Sequence, residues 1–366
     1  MCELMKLTDN LPEKTPPHGG DIYHLARTMG LDLQELLDFS ANINPLGFPP
    51  GIPRAIQKAL PEIVHYPDKR CLGLKEELAA YHHLQAEQIL VGNGSTELIY
   101  LAARALRPRK ALIVAPAFSE YEHGLNAADI PVDFHLTTEA QNFTLDQPLD
   151  FRGADLVFLA HPASPSGALL PPDLLAELAA GLEAAGSYLL LDEAFIDFVE
   201  EASFKTQLER FPRVLILRSF TKFFAIPGMR LGYLLGAAAL LDRLAAIQEP
   251  WSVNTLAQAM GRACLRDADY MERSRVLVQR ERQDLLQGLK SLPGLQPFDS
   301  AVNYLLVKLT RPDFTAASLQ KALLTRRIVI RDASNFRGLD ARFFRVAVRA
   351  REENQQLLEA LGHFLR

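Results

Sequence analysis

The chain has 366 residues, of which 48% are hydrophobic and 23% are charged, and its formal net charge at pH 7 is −5. This length exceeds what one compact core usually serves, so two domains are predicted, and the negative net charge argues against a nucleic-acid-binding protein. The three cysteines form no Cys-x-x-Cys pair, which argues against a disulfide framework and a zinc site and favours a reducing compartment.

The stretch from residue 1 to about residue 53 is predicted to form an arm that joins the smaller domain. It is rich in proline, glycine and asparagine, which favour turns, apart from a short helix near residues 22–29. Its first ten residues lack the basic start and apolar stretch of a secretory signal. The longest uncharged apolar-rich run of the chain, residues 231–241, is too short to span a bilayer. We therefore expect a cytoplasmic protein that does not bind membranes.

Residues 54–250 are predicted to form the large domain, an α/β structure built on a mainly parallel sheet. Short apolar runs alternate there with helical patterns, which is typical of parallel strands covered by helices on both faces. The predicted strands are 89–91, 111–115, 156–160, 188–191, 214–217 and 231–235. Ligands of such sheets bind outside the carboxyl ends of the strands, so functional residues are expected there.

Residues 251–366 are predicted to hold an interdomain helix and a small α+β domain. The segment 254–289 is rich in charge, contains no proline and is predicted to be one long helix. Strands are predicted at 304–308, 328–330 and 344–348, with helices at 316–324 and at the C-terminus.

Two strand ends carry residues that are typical of ligand sites. At residues 91–98 a strand ends in two glycines and a helix begins, with Ser95 or Thr96 placed to cap it. Free backbone N–H groups at such a helix start bind phosphate, although many turns of this kind bind nothing. Asp192 ends a fully apolar strand, and a buried aspartate needs a partner. It either caps the next turn or takes part in catalysis.

Lys222 is the candidate nucleophile of the chain. It follows the apolar run 214–217 and is flanked by aromatic and small residues, with Arg218 and Arg230 nearby. Burial and neighbouring cations lower the pKa of a lysine and make its amine nucleophilic. A lone lysine in a loop is more often exposed to solvent, but the order of the residues at 219–233 favours a functional role.

The pattern Ser-x-Thr-Lys…Pro-Gly-x-Arg-Leu-Gly-Tyr at residues 219–233 resembles that of the fold-type I pyridoxal-phosphate enzymes, the aspartate aminotransferase group. The resemblance runs from about residue 18 to the C-terminus. It implies a large domain with a seven-stranded-type sheet, pyridoxal 5′-phosphate as the cofactor, and a homodimer with shared active sites. It also implies that Lys222 carries the cofactor as a Schiff base and that Asp192 pairs with the protonated pyridine nitrogen, keeping the ring an electron sink.

The same resemblance implies further cofactor contacts. The residues expected to hold the cofactor phosphate are Gly94, Ser95, Thr96, Ser219 and Arg230, with Tyr66 reaching it from the second subunit. Phe118 matches the aromatic residue that stacks on the cofactor ring. Taken singly, Phe118 is more often a core aromatic and Tyr66 a surface turn residue, so it is the ordered set that supports both assignments.

Two positions depart from the wider group. Where that group has Asn-Pro-Thr-Gly, residues 164–167 read Ser-Pro-Ser-Gly, so Ser164 replaces an asparagine that contacts the 3′-oxygen of the cofactor. Where aminotransferases usually have a tyrosine to the same oxygen, this chain has Phe195, which resembles the decarboxylases of the group. A serine hydroxyl still donates one hydrogen bond, directly or through water, so Ser164 remains an expected cofactor contact.

Within the group the chain resembles the histidinol-phosphate aminotransferases and, more closely, the L-threonine-O-3-phosphate decarboxylases of cobalamin biosynthesis. The segments that favour the decarboxylases are 17–20 with 38–47, 192–198 and 344–354. The implied reaction converts L-threonine O-3-phosphate to (R)-1-amino-2-propanol phosphate and CO₂. A histidinol-phosphate aminotransferase is the first alternative, and a non-catalytic paralogue that binds the cofactor is the second, motivated by Ser164 and Phe195.

An arginine-rich segment near the C-terminus is the candidate substrate site. Eight arginines lie between residues 326 and 351 with only two aspartates among them, which suits a phosphate or carboxylate site or, alternatively, a solvated surface. The residues that the resemblance implies for substrate binding are His18, Asn44, Arg331, Arg345 and Arg349. His18 lies on the arm, where it is expected to close over the substrate phosphate. Which arginine takes which anion is left open.

Overall fold

The computed structural model of the chain describes residues 19–366, and its first elements belong to the predicted arm. Helix α1 (Ile22–Met29) ends at Gly30, which adopts the left-handed conformation that stops a helix. Strand β1 (Leu37–Asp38) follows and pairs in parallel with strand β11 (Ile328–Val329), far along the chain. The helix predicted at 22–29 is confirmed.

A seven-stranded sheet forms the centre of the protein. Its strands are β2 (Ile89–Gly92), β3 (Ala111–Ala115), β4 (Val132–Leu136), β5 (Leu156–Ala160), β6 (Tyr188–Asp192), β7 (Val214–Ser219) and β8 (Gly232–Leu235). They are arranged in the order β2-β8-β7-β6-β5-β3-β4, and only β8 runs antiparallel to its neighbours. The predicted α/β fold with a mainly parallel sheet is confirmed. Strand β4 was missed because it lies at the sheet edge, half-exposed, and carries alternating polar residues.

Helices cover both faces of this sheet. They are α2 (Ile52–Ala59), α3 (Leu72–His82), α4 (Gly94–Leu106), α5 (Glu120–Asn126), α6 (Pro172–Ala185), the single turn α7 (Phe220–Phe223) and α8 (Ala238–Ala245). Successive side chains of a strand point to opposite faces. Leu189 and Leu191 therefore join the hydrophobic cluster on one face, and Leu190 joins the cluster on the other. Burial on both faces explains why these strands read as uninterrupted apolar runs.

The segment predicted as one long helix over 254–289 consists of two helices, and that prediction was wrong. Helix α9 (Thr255–Leu265) ends before Asp267, and helix α10 (Ala268–Lys290) begins directly after it. The carboxylate of Asp267 accepts a hydrogen bond from the backbone N–H of Tyr270 at 2.9 Å. An aspartate that bonds to the backbone in this way starts a new helix instead of continuing the old one.

A four-stranded antiparallel sheet follows α10. Its strands are β9 (Leu295–Pro297), β10 (Tyr304–Leu309), β12 (Arg331–Asp332) and β13 (Phe343–Ala347), in the order β12-β13-β10-β9, with helices α11 (Ala316–Leu324) and α12 (Arg351–Phe364) packed nearby. The single strand predicted over 328–330 is divided at Ile330, so that β11 and β12 belong to different sheets. The division of the chain at residues 53 and 250 stays a prediction. Within residues 19–366, no helix combines the length and the apolar character needed to cross a bilayer.

Candidate functional site

A cavity of about 360 Å³ opens at the carboxyl ends of the parallel strands, where ligands bind in α/β sheets. Its wall is formed by residues from the large sheet, from the arm and from the four-stranded sheet. The predicted site residues that line it are Ser95, Thr96, Phe118, Ser164, Asp192, Ser219, Lys222, Arg230, Arg331 and Arg345. The structure thus brings together ten residues from distant segments of the sequence.

The start of α4 forms a cradle for an anion. Gly94 has a φ of +80°, and a Cβ atom at this position would lie 2.6 Å from Nη2 of Arg230. A Cβ atom on Gly232 of β8 would lie 2.7 Å from the backbone nitrogen of Ser95. These two glycines let a guanidinium group and the first free N–H groups of a helix approach one point, which is the arrangement that binds phosphate.

The predicted capping of α4 by Ser95 or Thr96 was wrong. The helix begins at Gly94, so both residues lie in its first turn, and the carboxylate of Glu97 accepts a hydrogen bond from the Asn93 N–H instead. The backbone N–H groups of Ser95 and Thr96 therefore belong to the unsatisfied donors of a helix start. This position suits the predicted phosphate contact better than a cap would.

Two hydroxyl groups face each other at the end of β7. The Ser219 hydroxyl lies 2.8 Å from the Thr221 hydroxyl and accepts a hydrogen bond from the Thr221 N–H at 3.3 Å. Both residues line the cavity, beside Arg230. Thr221 was not assigned from the sequence, although it belongs to the same Ser-x-Thr-Lys pattern.

Asp192 caps the next turn and also lies in the cavity wall, while its part in catalysis stays a prediction. One carboxylate oxygen accepts a hydrogen bond from the Ala194 N–H at 2.8 Å and thereby caps the turn, and the other accepts one from the Tyr121 hydroxyl at 2.5 Å. Burial raises the pKa of Asp192, and the hydrogen bond from Tyr121 opposes that shift. Tyr121 was missed by the sequence reasoning. Its ring also meets the edge of Phe118, with 5.9 Å between the ring centroids.

Lys222 lies in α7 with its amine in the cavity wall. Burial, followed by the positive charges of Arg345 and Arg230, lowers the pKa of Lys222 to about 8, while Asp192 and Asp38 oppose the shift. A pKa of about 8 leaves roughly a tenth of the amine neutral at pH 7, about two orders of magnitude more than for an ordinary lysine. This direction agrees with the low pKa expected for this lysine from the sequence, and a neutral amine is the nucleophilic form.

Ser164 and Phe195, the two departures from the wider group, both contact Tyr304. The Phe195 ring packs edge-on against the Tyr304 ring with 4.9 Å between the ring centroids. The Tyr304 hydroxyl donates to the carbonyl of Ala163, the residue before Ser164, at 3.0 Å. Within the described residues Tyr304 thus packs beside both departures, a contact that no feature of the sequence indicated.

Arg331 and Arg345 lie opposite each other on the paired strands β12 and β13. Burial and the charge of Arg345 lower the pKa of Arg331 to about 10, and Arg331 donates to the Asn335 side chain at 2.7 Å. Arg345 lies over the Tyr304 ring at 5.0 Å, and within residues 19–366 its guanidinium forms no ion pair with a carboxylate. Two adjacent, desolvated guanidinium groups form a site for anions.

Two predicted substrate residues lie outside the cavity wall. The side-chain amide of Asn44 is buried, and it donates to the Phe223 carbonyl at 2.7 Å. The guanidinium of Arg349 pairs with Glu353 at 2.7 Å and donates to the Asp38 carbonyl at 3.0 Å. Asn44 is fully engaged by the protein, whereas Arg349 keeps a buried Nε atom without a hydrogen-bond partner within residues 19–366, and its substrate contact stays a prediction.

Tyr66 also lies away from the cavity wall. The Tyr66 side chain is 81% exposed and stacks on Trp251 with 4.8 Å between the ring centroids. This exposure is compatible with the predicted contact to a second subunit, which a single chain does not test. His18 falls outside the described residues.

Asn42 is a cavity residue that the sequence reasoning missed. It is buried, lines the cavity, and its side-chain carbonyl oxygen has no hydrogen-bond partner within the described part of the chain. A buried polar atom without a partner indicates a place where a ligand completes the hydrogen bonding. Its position two residues before Asn44, in the same Asn-x-Asn-Pro segment, was the available signal.

The residues of the cavity fit pyridoxal 5′-phosphate. The start of α4 with Ser219 and Arg230 offers the donors that a phosphate needs, and Lys222 offers an amine for the aldehyde. Asp192 offers a carboxylate for the protonated pyridine nitrogen, and Phe118 offers an aromatic wall. The Asn42 oxygen without a partner and the two adjacent arginines offer polar contacts for a substrate beside the cofactor.

Comparison with known proteins agrees with this chemistry. The model of the class I and II aminotransferases matches residues 34–363. The threonine-phosphate decarboxylase of Salmonella typhimurium is 41% identical over 95% of this chain and 96% of its own length. The histidinol-phosphate aminotransferase of Methanothermobacter thermautotrophicus is 32% identical over 95% of this chain and 94% of its own. The crystal structure of L-threonine-O-3-phosphate decarboxylase from Porphyromonas gingivalis superposes with a TM-score of 0.82 and 29% identity, covering 89% of this chain and 98% of that one.

Proposed function

The chain belongs to the class I and II aminotransferase family, and we propose that it is a pyridoxal-phosphate-dependent decarboxylase that converts L-threonine O-3-phosphate to (R)-1-amino-2-propanol phosphate and CO₂. The observation that carries the substrate class is the pair of adjacent arginines, Arg331 and Arg345, beside the low-pKa amine of Lys222. A substrate with a phosphate and a carboxylate supplies two anions for two guanidinium groups. The higher identity to a decarboxylase than to an aminotransferase supports the reaction type.

Each part of the cavity has a proposed role toward the cofactor. Bound pyridoxal phosphate supplies an electron sink for the electron pair released when a bond to the substrate Cα breaks. Lys222 holds the cofactor through its amine, and Asp192 keeps a proton at the pyridine nitrogen. Ser95, Thr96, Ser219, Arg230 and Gly94 bind its phosphate, Phe118 covers its ring, and Ser164 donates to its 3′-oxygen.

Substrate orientation selects which bond breaks. The bond that stands perpendicular to the plane of the electron sink breaks most easily, so the groups that hold the substrate decide the reaction. Arg331 and Arg345 are proposed to hold the two anionic groups so that the carboxylate bond takes that direction. Lys222, about nine-tenths protonated at pH 7 with a pKa of about 8, is the group placed to return a proton to the carbon that loses CO₂.

The experiment that tests this function compares two substrates by mass spectrometry. The protein is incubated with pyridoxal phosphate and L-threonine O-phosphate, and separately with histidinol phosphate and 2-oxoglutarate. Aminopropanol phosphate in the first reaction is the expected result. Imidazole-acetol phosphate and glutamate in the second, without CO₂ release in the first, would assign the aminotransferase instead. No product in either would favour the non-catalytic paralogue.

A matched pair of variants tests the substrate site. Arg345→Leu removes a cavity guanidinium and should raise KM for L-threonine O-phosphate by at least about 30-fold, since a buried charged contact is worth 2 kcal/mol or more. Arg342→Leu removes an exposed arginine that pairs with Asp340, away from the cavity, and should leave KM unchanged. Equal KM values for the two variants would contradict the proposed role of Arg345.

We further propose a homodimer in which Tyr66 reaches the cofactor phosphate of the partner subunit. Large apolar side chains are exposed in the segments of the chain that flank Tyr66 and its stacking partner Trp251: Leu60, Ile63, Val64, Leu72, Ile247 and Trp251. Such a concentration of exposed apolar residues is typical of a protein interface. The cytoplasmic location stays a prediction.

Shared sites make the dimer testable by complementation. Lys222→Ala and Tyr66→Ala subunits are mixed, and mixed dimers are formed by partial denaturation and renaturation. Each mixed dimer then contains one site with both residues intact, so the mixture should be more active than the two variants measured separately. Activity equal to their mean would indicate that Tyr66 acts within its own subunit or not at all.

A further inference from the structure

The turn that carries Lys222 is too short to fix its own backbone. Helix α7 has four residues, so most of its carbonyl groups lack the partners that a longer helix supplies. An amine that must keep one position in a cavity needs a fixed backbone beneath it. Besides a long bond from the Ala225 N–H to the Lys222 carbonyl at 3.4 Å, the donors that reach the end of this turn come from the arm and from α10.

Asn44 supplies most of these donors. Its backbone N–H donates to the Lys222 carbonyl at 3.1 Å, and its side-chain amide donates to the Phe223 carbonyl at 2.7 Å. The same amide nitrogen lies 3.0 Å from the Tyr270 hydroxyl and 2.8 Å from the Ser274 hydroxyl, both on α10. Two consecutive carbonyls at the lysine are thus held by one residue of the arm, and that residue is held by α10.

The remaining polar atoms of Asn44 and Tyr270 also have hydrogen-bond partners within the protein. The Asn44 side-chain carbonyl accepts from the Leu46 N–H at 3.1 Å, and the Tyr270 hydroxyl lies 2.7 Å from the Gly47 carbonyl and 2.9 Å from the Phe223 carbonyl. Asn44 is only 2% exposed. Every polar atom of its side chain is therefore engaged inside the protein, and none is available to a ligand in the cavity.

We propose that Asn44 is a positioning residue, which fixes the backbone of Lys222 and Phe223 from the arm so that the lysine amine stays among the charged groups of the cavity. This inference rests on the proposed function only through the identity of Lys222 as the residue that binds the cofactor. It replaces the substrate contact that the resemblance implied for Asn44 with a contact to the lysine turn.

The charged groups around the Lys222 amine make its position measurable. Burial, Arg345 and Arg230 lower the pKa of Lys222, and Asp192 and Asp38 act in the opposite direction. When the hydrogen bonds from Asn44 to the lysine turn are removed, water reaches the Lys222 amine and the amine moves away from the two arginines. Its pKa then rises from about 8 toward the ordinary value of 10.5.

The test labels Lys222 in the cofactor-free protein. Pyridoxal phosphate is added at a series of pH values, borohydride traps the adduct, and peptide mass spectrometry gives the labelling rate of Lys222. Asn44→Ala should move the midpoint of this pH profile upward by at least half a unit. Tyr270→Phe should move it in the same direction by less, and it keeps the test usable if Asn44→Ala does not fold.

A matched control separates positioning from general loss of stability. Thr315 caps α11 through a hydrogen bond from the Ser318 N–H at 3.1 Å, and neither residue lines the cavity. Thr315→Ala should lower the urea midpoint of unfolding without moving the labelling midpoint. Kinetics add a second readout, because a positioning role lowers kcat at nearly constant KM, whereas a substrate contact raises KM.

The outcomes distinguish the two proposals. If Lys222 of the unmodified protein is not labelled, the assignment of the cofactor lysine fails. If it is labelled with a midpoint near 8, and folded Asn44→Ala and Tyr270→Phe variants keep that midpoint, the positioning role of Asn44 is wrong and the cofactor assignment stands. A large rise in KM with an unchanged midpoint would instead return Asn44 to substrate binding.

Discussion

The two faces of strands β6 and β7 carry charged residues in contrasting surroundings. On the cavity face, Asp192 and Ser219 end the two strands, and the nearby Lys222 amine has no carboxylate ion pair within residues 19–366. On the opposite face, the neighbouring residues Glu193 and Arg218 are fully buried and form an ion pair at 3.2 Å. Arg218 and Ser219 are successive residues of β7 and therefore point to opposite faces, so a single step along this strand separates the cavity from the buried ion pair.

Both terminal nitrogens of the Arg218 guanidinium contact carboxylates, although its Nε atom has no hydrogen-bond partner within residues 19–366. The guanidinium also pairs with Asp197 at 2.9 Å and with Glu200, and Glu193 accepts further hydrogen bonds from the Ser203 hydroxyl and the Phe204 N–H. Burial alone would lower the pKa of Arg218, but these carboxylates raise it well above its ordinary value. A buried cation that is surrounded by carboxylates stabilises the fold. A buried cation that lies beside a cavity and has no carboxylate partner is instead a candidate for ligand binding.

The largest expected effect lies on the cavity face. Lys222→Ala should abolish the absorbance band of the bound cofactor and lower kcat/KM by roughly 10³-fold or more, as loss of a covalent catalytic group does. In the cofactor-free form the variant should be no less stable than the unmodified protein, because it removes a desolvated amine whose pKa the fold lowers. Spectroscopy, kinetics and urea unfolding measure these three quantities.

Two results with Lys222→Ala would contradict the distinction between the cavity face and the Arg218 cluster or the assignment of the cofactor lysine. A Lys222→Ala protein that unfolds at much lower urea concentration would mean that this lysine stabilises the fold as Arg218 does. A persisting band with a borohydride-reducible adduct would mean that another lysine binds the cofactor.

On the opposite face the expected effect is on stability. Arg218→Met should lower the free energy of unfolding by about 3–5 kcal/mol, because it leaves buried carboxylates without their cation. Arg213→Met is the matched control, since Arg213 precedes the same strand, is partly exposed and pairs with Glu183 at 3.6 Å. Urea unfolding at pH 7 should show a small change for the control, and similar changes in both variants would contradict the distinction between the two faces.

The sequence predicted the central strands and most of the cavity because both rest on short local patterns. Buried parallel strands are uninterrupted apolar runs, and Lys222, Ser219 and Arg230 lie within one motif. The sequence did not predict the edge strand β4, because its partly exposed residues do not form an apolar run. It also did not predict the helix break at Asp267, because a side-chain cap divides a segment whose composition suits one helix.

The contacts that cross the fold could not be predicted. Tyr121 reaches Asp192 from a helix that lies 71 residues earlier in the chain, and Asn44 reaches Phe223 across 179 residues. Nothing in the neighbourhood of either residue in the sequence indicates its partner. Asn44 was therefore assigned to the substrate by resemblance, while its hydrogen bonds join it to the lysine turn.

The pH dependence of the reaction between Lys222 and pyridoxal phosphate measures the pKa of the Lys222 amine on the cavity face. Only the neutral amine of Lys222 reacts, so its labelling by pyridoxal phosphate should rise about tenfold per pH unit below the pKa and level off above about pH 8. The shift is downward, and for that reason the plateau comes earlier than for an ordinary lysine, whose labelling rises to about pH 10.5. A rise that continues to pH 10 in the borohydride-trapping assay would mean that burial and the nearby arginines do not act on this amine.

The smallest effect is expected where an arginine is paired but exposed. Arg337 lies 3.0 Å from Glu122 and 3.8 Å from the centre of the Phe134 ring, and its side chain is 49% exposed. Water competes for both contacts, so Arg337→Ala should lower the free energy of unfolding by less than about 1 kcal/mol. A double-mutant cycle with Glu122→Gln, followed by urea unfolding, measures the coupling directly. Coupling as large as the loss in Arg218→Met would show that pairing alone, without burial, makes an arginine structural; weak coupling would leave desolvation as the property that separates Arg218 from Arg337.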